Sequence, residues 1–429
     1  MMTVNRKIRP ELSELSLPSL LPHTCTKLSN GIGLIVLSDP SQEVFKMDVI
    51  FEAGPYYQPS PLIASTALHM LNEGTRHHTS AAIAETFDYY GAYIDFNNGM
   101  HKAELNLLSL NKYANETIDM LAEMVRESIF PEHELEIYLR NKKQAFLTEK
   151  EKTSWLARKE FFRVLFGKNH PYANVTHERD YESVKRQSLV DFYRERINAA
   201  HCSIVLSGNV TGPIQNQVAD LFGTLGHPAV SPSIPRYEFQ PSAPGSYNVP
   251  KTNAVQSSIR IGKSGVSLVQ KDYAAFQLLN MVLGGYFGSR LMSNIREEKG
   301  YTYGIYSFNV TLPKASYWCV TADVNSQFTE AAIEETLKEI RKIQTELIPE
   351  EELALVKNYY HGELLREIDG VFSQADSLKN KLTYGMDNSI YRNIIEQIKT
   401  CTPEYLLDLA NRYLKTEELY IVTSGPGKI

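Results

Sequence analysis

"LVDFYRERI" at residues 189–197, followed by "CSIVLSGNV" at 202–210, is repeated near the end of the chain as "YLLDLANRYL" (405–414) and "ELYIVTSGP" (418–426). The first segment of each pair has apolar residues at helical spacing. The second segment is a short apolar run that ends at glycine, as expected for a buried strand. The same helix–strand order occurs twice in one chain, which indicates a duplicated domain.

The segments before each pair extend the repeat. Strands are predicted at "VFKMDVIFEAG", "AYIDFNN" and "KAELNLLSL" in the first copy and at "SSIRIGKSG", "YTYGIYSFNVTL" and "YWCVTADVN" in the second, with amphipathic helices following each set. One of these helices is expected to run from about Glu132 to Phe166. We therefore predict an α+β fold of two tandem homologous domains, each an antiparallel-rich sheet packed with helices.

A proline-rich segment separates the two copies. The stretch "HPAVSPSIPRYEFQPSAPGSYNVPK" holds six of the chain's 20 prolines, which forbid a continuous helix and indicate a linker. The predicted division is a first domain at 1–227, a linker at 228–250 and a second domain at 251–429.

Composition excludes several classes of protein. The chain of 429 residues has 44 basic and 50 acidic residues, a net charge of −6, and no dense basic run, which argues against a nucleic-acid surface. The four cysteines lie far apart and are expected to be reduced. No apolar stretch is long enough for a membrane span, so we expect a cytoplasmic protein, or a periplasmic one if a signal peptide has been removed.

The stretch "TALHMLNEGT" (66–75) is similar to the second half of a zinc-binding helix. In an H-x-x-E-H motif two histidines on one helix face bind the metal, and the glutamate acts as general base. His69 matches the second histidine, whereas Ser65 replaces the first histidine and Leu68 replaces the glutamate. One imidazole does not hold Zn²⁺, so no metal site is predicted in this chain and His69 is expected to be a packed or partly exposed side chain.

The flanking residues resemble one family. "FEAGPYYQP", "HMLNEGT" and "AAIAETFDYYGAYIDFNNG" are similar to the pitrilysin/insulinase metallopeptidases, which include mitochondrial processing peptidase, and the resemblance extends over both halves. In that family a glutamate on the long helix is the third ligand. The corresponding position here is Ala145, beside Gln144, or Glu149 if the match is displaced by one helical turn.

The second half keeps the family's other signature. "LGGYFGSRLMSNIREEKGYTYGIYS" resembles the segment in which an arginine and a tyrosine bind the substrate carbonyl and the tetrahedral oxyanion, and Arg296 and Tyr303 stand at these positions. A fixed cation and a directed O–H donor suit a site where negative charge develops. The glycines of "GGYFGS" follow a helix and lack a phosphate-loop pattern.

The remaining histidines lack the spacing of metal ligands. His77 and His78 precede a helix start and are expected in a solvated loop, and His133 and His170 are interpreted as structural.

The resemblance implies a function shared between chains. Family members enclose a clam-shaped chamber of four such domains, with zinc in one half and the arginine and tyrosine in the other. We expect this chain, inactive alone, to be the non-zinc subunit of a heterodimeric endopeptidase, presenting Arg296 and Tyr303 to the zinc of a homologous partner that cuts unfolded or extended peptides. The alternatives are a structural or peptide-binding homologue without activity, and an active zinc peptidase with unorthodox ligands.

Overall fold

The structure is a computed structural model that describes residues 16, 20–173, 176–228 and 235–426. We call the described residues up to 228 the first half and those from 235 the second half. The strands are β1 His23–Lys27, β2 Gly33–Ser38, β3 Val44–Phe51, β4 Tyr93–Asn98, β5 Ala103–Leu110, β6 Cys202–Gly208, β7 Gly245–Pro250, β8 Gln256–Ser264, β9 Thr302–Thr311, β10 Ser316–Asn325 and β11 Tyr420–Gly425. The helices are α1 Ile63–Met70, α2 Ser80–Tyr90, α3 Ala114–Glu127, α4 Glu132–Glu149, α5 Thr153–Phe166, α6 Asp180–Ser183, α7 Arg186–Arg196, α8 Gly212–Phe222, α9 Tyr273–Asn280, α10 Thr329–Thr345, α11 Glu350–Glu367, α12 Gly370–Leu382, α13 Ile390–Thr400 and α14 Pro403–Tyr413.

The two sheets share one topology. The first sheet has the order β1-β2-β6-β3-β5-β4, and the second has the order β7-β11-β8-β10-β9. In each sheet one parallel pair, β2 with β6 or β7 with β11, adjoins a run of antiparallel strands. The second sheet therefore repeats the first from β2 onward, with β9 at the edge position that β4 occupies. The predicted fold of two homologous α+β units is confirmed.

Each sheet buries an apolar core on one face. In β3 the side chains of Phe45, Met47, Val49 and Phe51 lie at alternate positions, on one face of the strand, and pack against the helices of the first half. In β10 the side chains of Trp318, Val320, Ala322 and Val324 do the same in the second half. The period of two along these strands decides which residues enter the core.

The opposite face of each sheet is covered by a helix from the other half. Helix α5 belongs to the first half but packs on β8 and β11 of the second sheet, where Phe161 lies over Gly262. Helix α12 belongs to the second half but packs on β2 and β6 of the first sheet. A Cβ on Gly262 would lie 2.9 Å from the Phe161 ring, so only glycine permits this approach. The halves are interlocked.

Two details differ from the sequence-based expectations. The single helix expected from Glu132 to Phe166 is wrong: α4 ends at Glu149, Lys152 is extended, and α5 begins at Thr153. The break lets α5 leave the first half and pack on the second sheet. In addition, β7 occupies the last six residues of the predicted linker 228–250, where it pairs with β11 at the sheet edge, a position that tolerates proline.

Candidate functional site

The helix that resembles a zinc helix is packed as ordinary core. Leu68, at the glutamate position, is 1% exposed within the first apolar core. The Ser65 hydroxyl, at the first histidine position, donates a hydrogen bond to the Leu62 carbonyl at 3.2 Å. Leu68 and Ser65 therefore make ordinary packing and backbone contacts in α1.

His69 is held between aromatic rings. Its ring centroid lies 5.8 Å from that of Phe96 on β4 and 5.5 Å from that of Tyr138 on α4. Burial lowers the pKa of His69, and the charge of Lys142 lowers it further. The half-buried position of His69 between two aromatic rings agrees with the expectation of a packed or partly exposed histidine.

The long helix offers no carboxylate to this histidine. Ala145 and Gln144 are exposed, and Glu149 forms a salt bridge with Lys152 at the end of α4. The α4 side chains near His69 are Tyr138 and Lys142, whose ammonium group lies 5.4 Å from the Tyr138 ring centroid. Over the described residues, no group of three or more His, Cys, Asp or Glu side chains has a metal-binding arrangement.

The other histidines have structural partners or are exposed. His170 is buried, and its Nδ1 accepts a hydrogen bond from the Tyr172 amide at 3.1 Å. His133 is exposed on α4. The Nδ1 atom of His78 lies 2.9 Å from the Glu123 carboxylate. This contact holds His78 in place, whereas the sequence predicted a solvated loop there.

Arg296 and Tyr303 lie in one cleft of the second half. The cleft has a volume of about 690 Å³ and is also lined by Gln256, Asp323 and Asn325. The Arg296 guanidinium lies 4.6 Å from the centroid of the Phe287 ring, in a cation–π arrangement, and 3.8 Å from the Glu297 carboxylate. Tyr303 is 92% exposed near the start of the edge strand β9. Both donor groups therefore face solvent.

Unusual backbone carries Arg296. Two π-helical segments, Met281–Gly285 and Met292–Glu298, flank the loop that contains Phe287, and Arg296 lies in the second. Such segments are rare and are often found at functional sites. The Asn294 amide holds the second segment against α10 by donating to Glu335 at 2.9 Å and Glu339 at 2.8 Å.

A close contact holds the first π-helical segment against β9. A Cβ on Gly284 would lie 2.7 Å from the Ser307 hydroxyl and 2.9 Å from Leu291. The segment thus lies directly on the strand that presents Tyr303, which sets the relative position of the two halves of the signature.

Comparison with known proteins supports the family resemblance. The model of the "Peptidase M16 inactive domain" matches residues 183–360. Over this segment the chain is similar to the M16 peptidases. This confirms the resemblance to the pitrilysin/insulinase peptidases, and the match falls on a domain that the family description calls inactive.

Several relatives match over most of their length. A Bacillus subtilis protein named "Uncharacterized zinc protease YmxG" is 24% identical over 417 residues, which cover 94% of this chain and 98% of the relative. An "Uncharacterized zinc protease" of Rickettsia felis is 24% identical over 367 residues, covering 84% and 87%. A "Non-peptidase homolog YmxG" of Helicobacter pylori is 22% identical over 364 residues, covering 83% of each chain.

Solved structures establish the fold. The peptidase M16 inactive domain from Pseudomonas fluorescens superposes with a TM-score of 0.85 at 23% identity, covering 95% of this chain and 99% of that one. A protease from Helicobacter pylori superposes with a TM-score of 0.86 at 16% identity, covering 95% and 100%. Across the described residues no helix is both long and apolar enough to cross a membrane.

The sequence reasoning missed a charged cluster on the first sheet. Lys46 and Asp48 alternate with apolar residues in "VFKMDVIF", and the structure places them beside Glu104, Asp376 and Lys379. Charged residues at alternate positions of an otherwise apolar strand are the signal that could have indicated a polar patch on the second face of β3.

Proposed function

We propose that this chain is the non-zinc subunit of a heterodimeric M16 endopeptidase. It presents Arg296 and Tyr303 to the zinc site of a homologous partner that carries an intact H-x-x-E-H helix. The observation that supports this most is the contrast between the two halves: the zinc helix is filled with core packing, whereas the arginine and tyrosine remain exposed in one cleft.

The chemistry of this cleft suits peptide hydrolysis in a shared site. Arg296, whose side chain is 34% exposed, has N–H donors available for a substrate carbonyl, and the ring of Phe287 restricts the guanidinium to one side of the cleft. The Tyr303 hydroxyl would donate to the oxygen that becomes negative when the carbonyl is attacked. The partner's zinc would supply the activated water. The substrate class is an unfolded or extended peptide.

One observation favours a second candidate, a homologue without peptidase activity that binds or stabilises a partner. The matched domain is described as inactive, and the Helicobacter pylori relative bears the name "Non-peptidase homolog". Under this hypothesis Arg296 and Tyr303 would make no contribution to turnover.

Reconstitution separates these candidates. The chain is purified from its native source to recover a homologous partner, and the two chains are mixed and assayed for chelator-sensitive peptide cleavage. Arg296→Ala and Tyr303→Phe are each expected to lower turnover by about 10- to 1000-fold, the range for a lost oxyanion donor. The zinc content of the partner should stay unchanged, because neither residue is a ligand.

Two matched variants control for general effects. Arg341→Ala and Tyr89→Phe remove the same chemical groups from exposed positions on α10 and α2, and both should leave turnover unchanged. Normal turnover with Arg296→Ala and Tyr303→Phe, or recovery of a homodimer alone with no activity on mixing, would support the inactive homologue instead.

A further inference from the structure

A cavity lies where the two halves meet at one end of the second sheet. Its volume is about 470 Å³, which falls within the roughly 300–1,000 Å³ that is typical of small-molecule sites. Its wall includes Phe166 at the end of α5, Phe239, Ser264 at the end of β8, and the turn between β9 and β10 at 312–316. The Arg296 cleft lies at the opposite ends of β8 and β9, so the two sites are separate.

The interior of the cavity is apolar and largely aromatic. The side chains of Leu165, Phe166, Phe239 and Leu312 line it. The ring centroids of Phe166 and Phe239 lie 6.0 Å apart. Phe239 is 42% exposed, but its ring stacks on that of His170 with the centroids 4.2 Å apart, which restricts its motion. These rings offer flat apolar surface to a ligand with an aromatic or aliphatic body.

Backbone hydrogen bonds fix the segments that carry these side chains. The Gln240 amide donates to the Phe166 carbonyl at 3.2 Å, which attaches the segment around Phe239 to the end of α5. The Lys314 amide donates to the Tyr172 hydroxyl at 3.1 Å, which attaches the β9–β10 turn to the first half. The cavity is therefore formed before a ligand arrives, so binding orders little of the chain.

Two polar side chains of the cavity lack a partner. Lys314 is the one charged residue among the described residues of the lining, and its ammonium group forms no ion pair within the described part of the chain. Ser316 also lines the cavity and is 9% exposed, and its hydroxyl has no hydrogen-bond partner among the described residues. A buried hydroxyl without a partner is unfavourable, so a ligand that hydrogen-bonds to it gains affinity.

The charge of the lining selects the sign of the ligand. No aspartate or glutamate is among the described residues that line the cavity, so a cationic ligand would be repelled by Lys314 without compensation. A wholly apolar ligand would leave the Ser316 hydroxyl unpaired. A carboxylate accepts hydrogen bonds at both oxygens, so it can pair with the ammonium group and with a hydroxyl at once.

We propose that this cavity binds a small organic carboxylate with an apolar body. The body packs against Phe166 and Phe239, and the carboxylate pairs with Lys314, which is exposed at the mouth of the cavity. Because Phe166 belongs to the first half and Lys314 to the second, the ligand contacts both halves and stabilises the folded chain by mass action. Binding requires this chain alone, and neither a peptidase partner nor the Arg296 cleft takes part.

The test is binding to the purified chain. The probes are naphthylacetate, naphthylacetamide, which is neutral and of the same shape, and naphthylethylamine, which is cationic. Calorimetry gives the Kd of each probe. The acid should bind with a Kd of about 1 mM or below, the affinity expected for a ligand of this size. It should bind about fivefold more tightly than the amide, as expected for one partly exposed ion pair, and the amine should bind most weakly.

Variants assign the binding to the cavity. Lys314→Met should remove most of the advantage of the acid over the amide, and Lys338→Met, which removes an exposed lysine on α10, should not. Phe239→Ala should weaken the binding of both probes by about threefold or more, because apolar contact is lost. Thermal melts check that each variant is folded. In the wild type, the acid at ten times its Kd should raise the melting temperature by about 1 °C or more.

Four results would overturn the proposal. They are equal affinity for the acid and the amide, an unchanged preference for the acid in folded Lys314→Met, no detectable binding of the acid, and tighter binding of a short peptide that ends in phenylalanine. The last result would assign the cavity to the terminus of another chain.

Discussion

The Lys379 ammonium group lies 2.8 Å from the Glu104 carboxylate, although 275 positions of the chain separate the two residues. Both side chains are at least nine-tenths buried, and they connect α12 of the second half with β5 of the first. This pair is a direct polar link between the halves.

Lys379→Met should therefore destabilise the whole chain. Removing one partner leaves Glu104 and Asp48 buried with less compensating charge, and we expect the free energy of unfolding to fall by about 3 kcal/mol. Urea denaturation followed by circular dichroism measures the change. Lys338→Met, which removes an exposed lysine paired within α10, is the control and should change stability by less than about 0.5 kcal/mol. A loss below about 1 kcal/mol for Lys379→Met would show that the pair adds little.

The stability of the chain should fall in mild acid because of His101. Burial, together with the charge of Lys314 and neighbouring cations, lowers the pKa of His101 from its usual 6.5 to about 4. Between these values the imidazole is protonated in the unfolded chain but neutral in the folded chain. The contribution of His101 to the free energy of unfolding is therefore complete above pH 6.5 and is lost as the pH falls toward 4.

Replacement by glutamine tests this pH dependence. Glutamine does not titrate and can accept the hydrogen bond from Tyr172, which lies 2.7 Å from the His101 ring nitrogen. Between pH 7.5 and 4.5, His101→Gln should lose about 2 kcal/mol less stability than the wild type in urea titrations. His133→Gln, on the exposed face of α4, should follow the wild type. Parallel curves for His101→Gln and the wild type would contradict the prediction.

Restoring the glutamate of the zinc motif at position 68 should not restore zinc binding. Leu68→Glu would place a carboxylate in the apolar core beside α1, and we expect a loss of about 3 kcal/mol in stability with no zinc bound per chain. Melting temperature and elemental analysis are the measurements. Leu68→Met, which keeps the volume, should cost less than about 1.5 kcal/mol. About one zinc per chain in either the wild type or Leu68→Glu would refute the loss of the metal site.

The contact between the first π-helical segment and β9 should tolerate no side chain at Gly284. Gly284→Ala would place its Cβ 2.7 Å from the Ser307 hydroxyl, so the π-helical segment must shift away from β9 at a cost of about 1–3 kcal/mol. Gly362→Ala is the matched control, because a Cβ there meets nothing within 4 Å in the middle of α11. It should stabilise the chain by about 0.5–1 kcal/mol. Equal effects of the two substitutions in thermal melts would show that the contact is loose.

Local patterns in the sequence predicted the sheets well. Alternation in "VFKMDVIF" and "YWCVTADVN" predicts strands because one face must enter a core, and both strands are present as β3 and β10. The break between α4 and α5 was not predictable, since the residues at 150–152 include neither glycine nor proline. The break separates α4 from α5, whose Phe161 packs on a sheet that lies far along the chain.

The candidate site was predicted only in part. The resemblance placed Arg296 and Tyr303 together, and the structure shows both lining the same cleft. The position of Phe287 at the Arg296 guanidinium depends on contacts between elements, which no local spacing reveals. The same holds for the charged cluster that joins β3 and β5 to α12. Long-range pairing decides these features, and a single sequence carries little information about it.

Helices α5 and α12 each pack on the sheet of the other half, and this affects folding during translation. Strand β6 completes the first sheet at Gly208, but α12, which covers Leu37, Ile50 and Val205 on that sheet, begins at Gly370. Translation proceeds from the N-terminus, so this patch stays bare while most of the second half is still being synthesised. The nascent first half therefore exposes aliphatic surface of the kind that chaperones bind, and it reaches its native packing only after α12 has been synthesised.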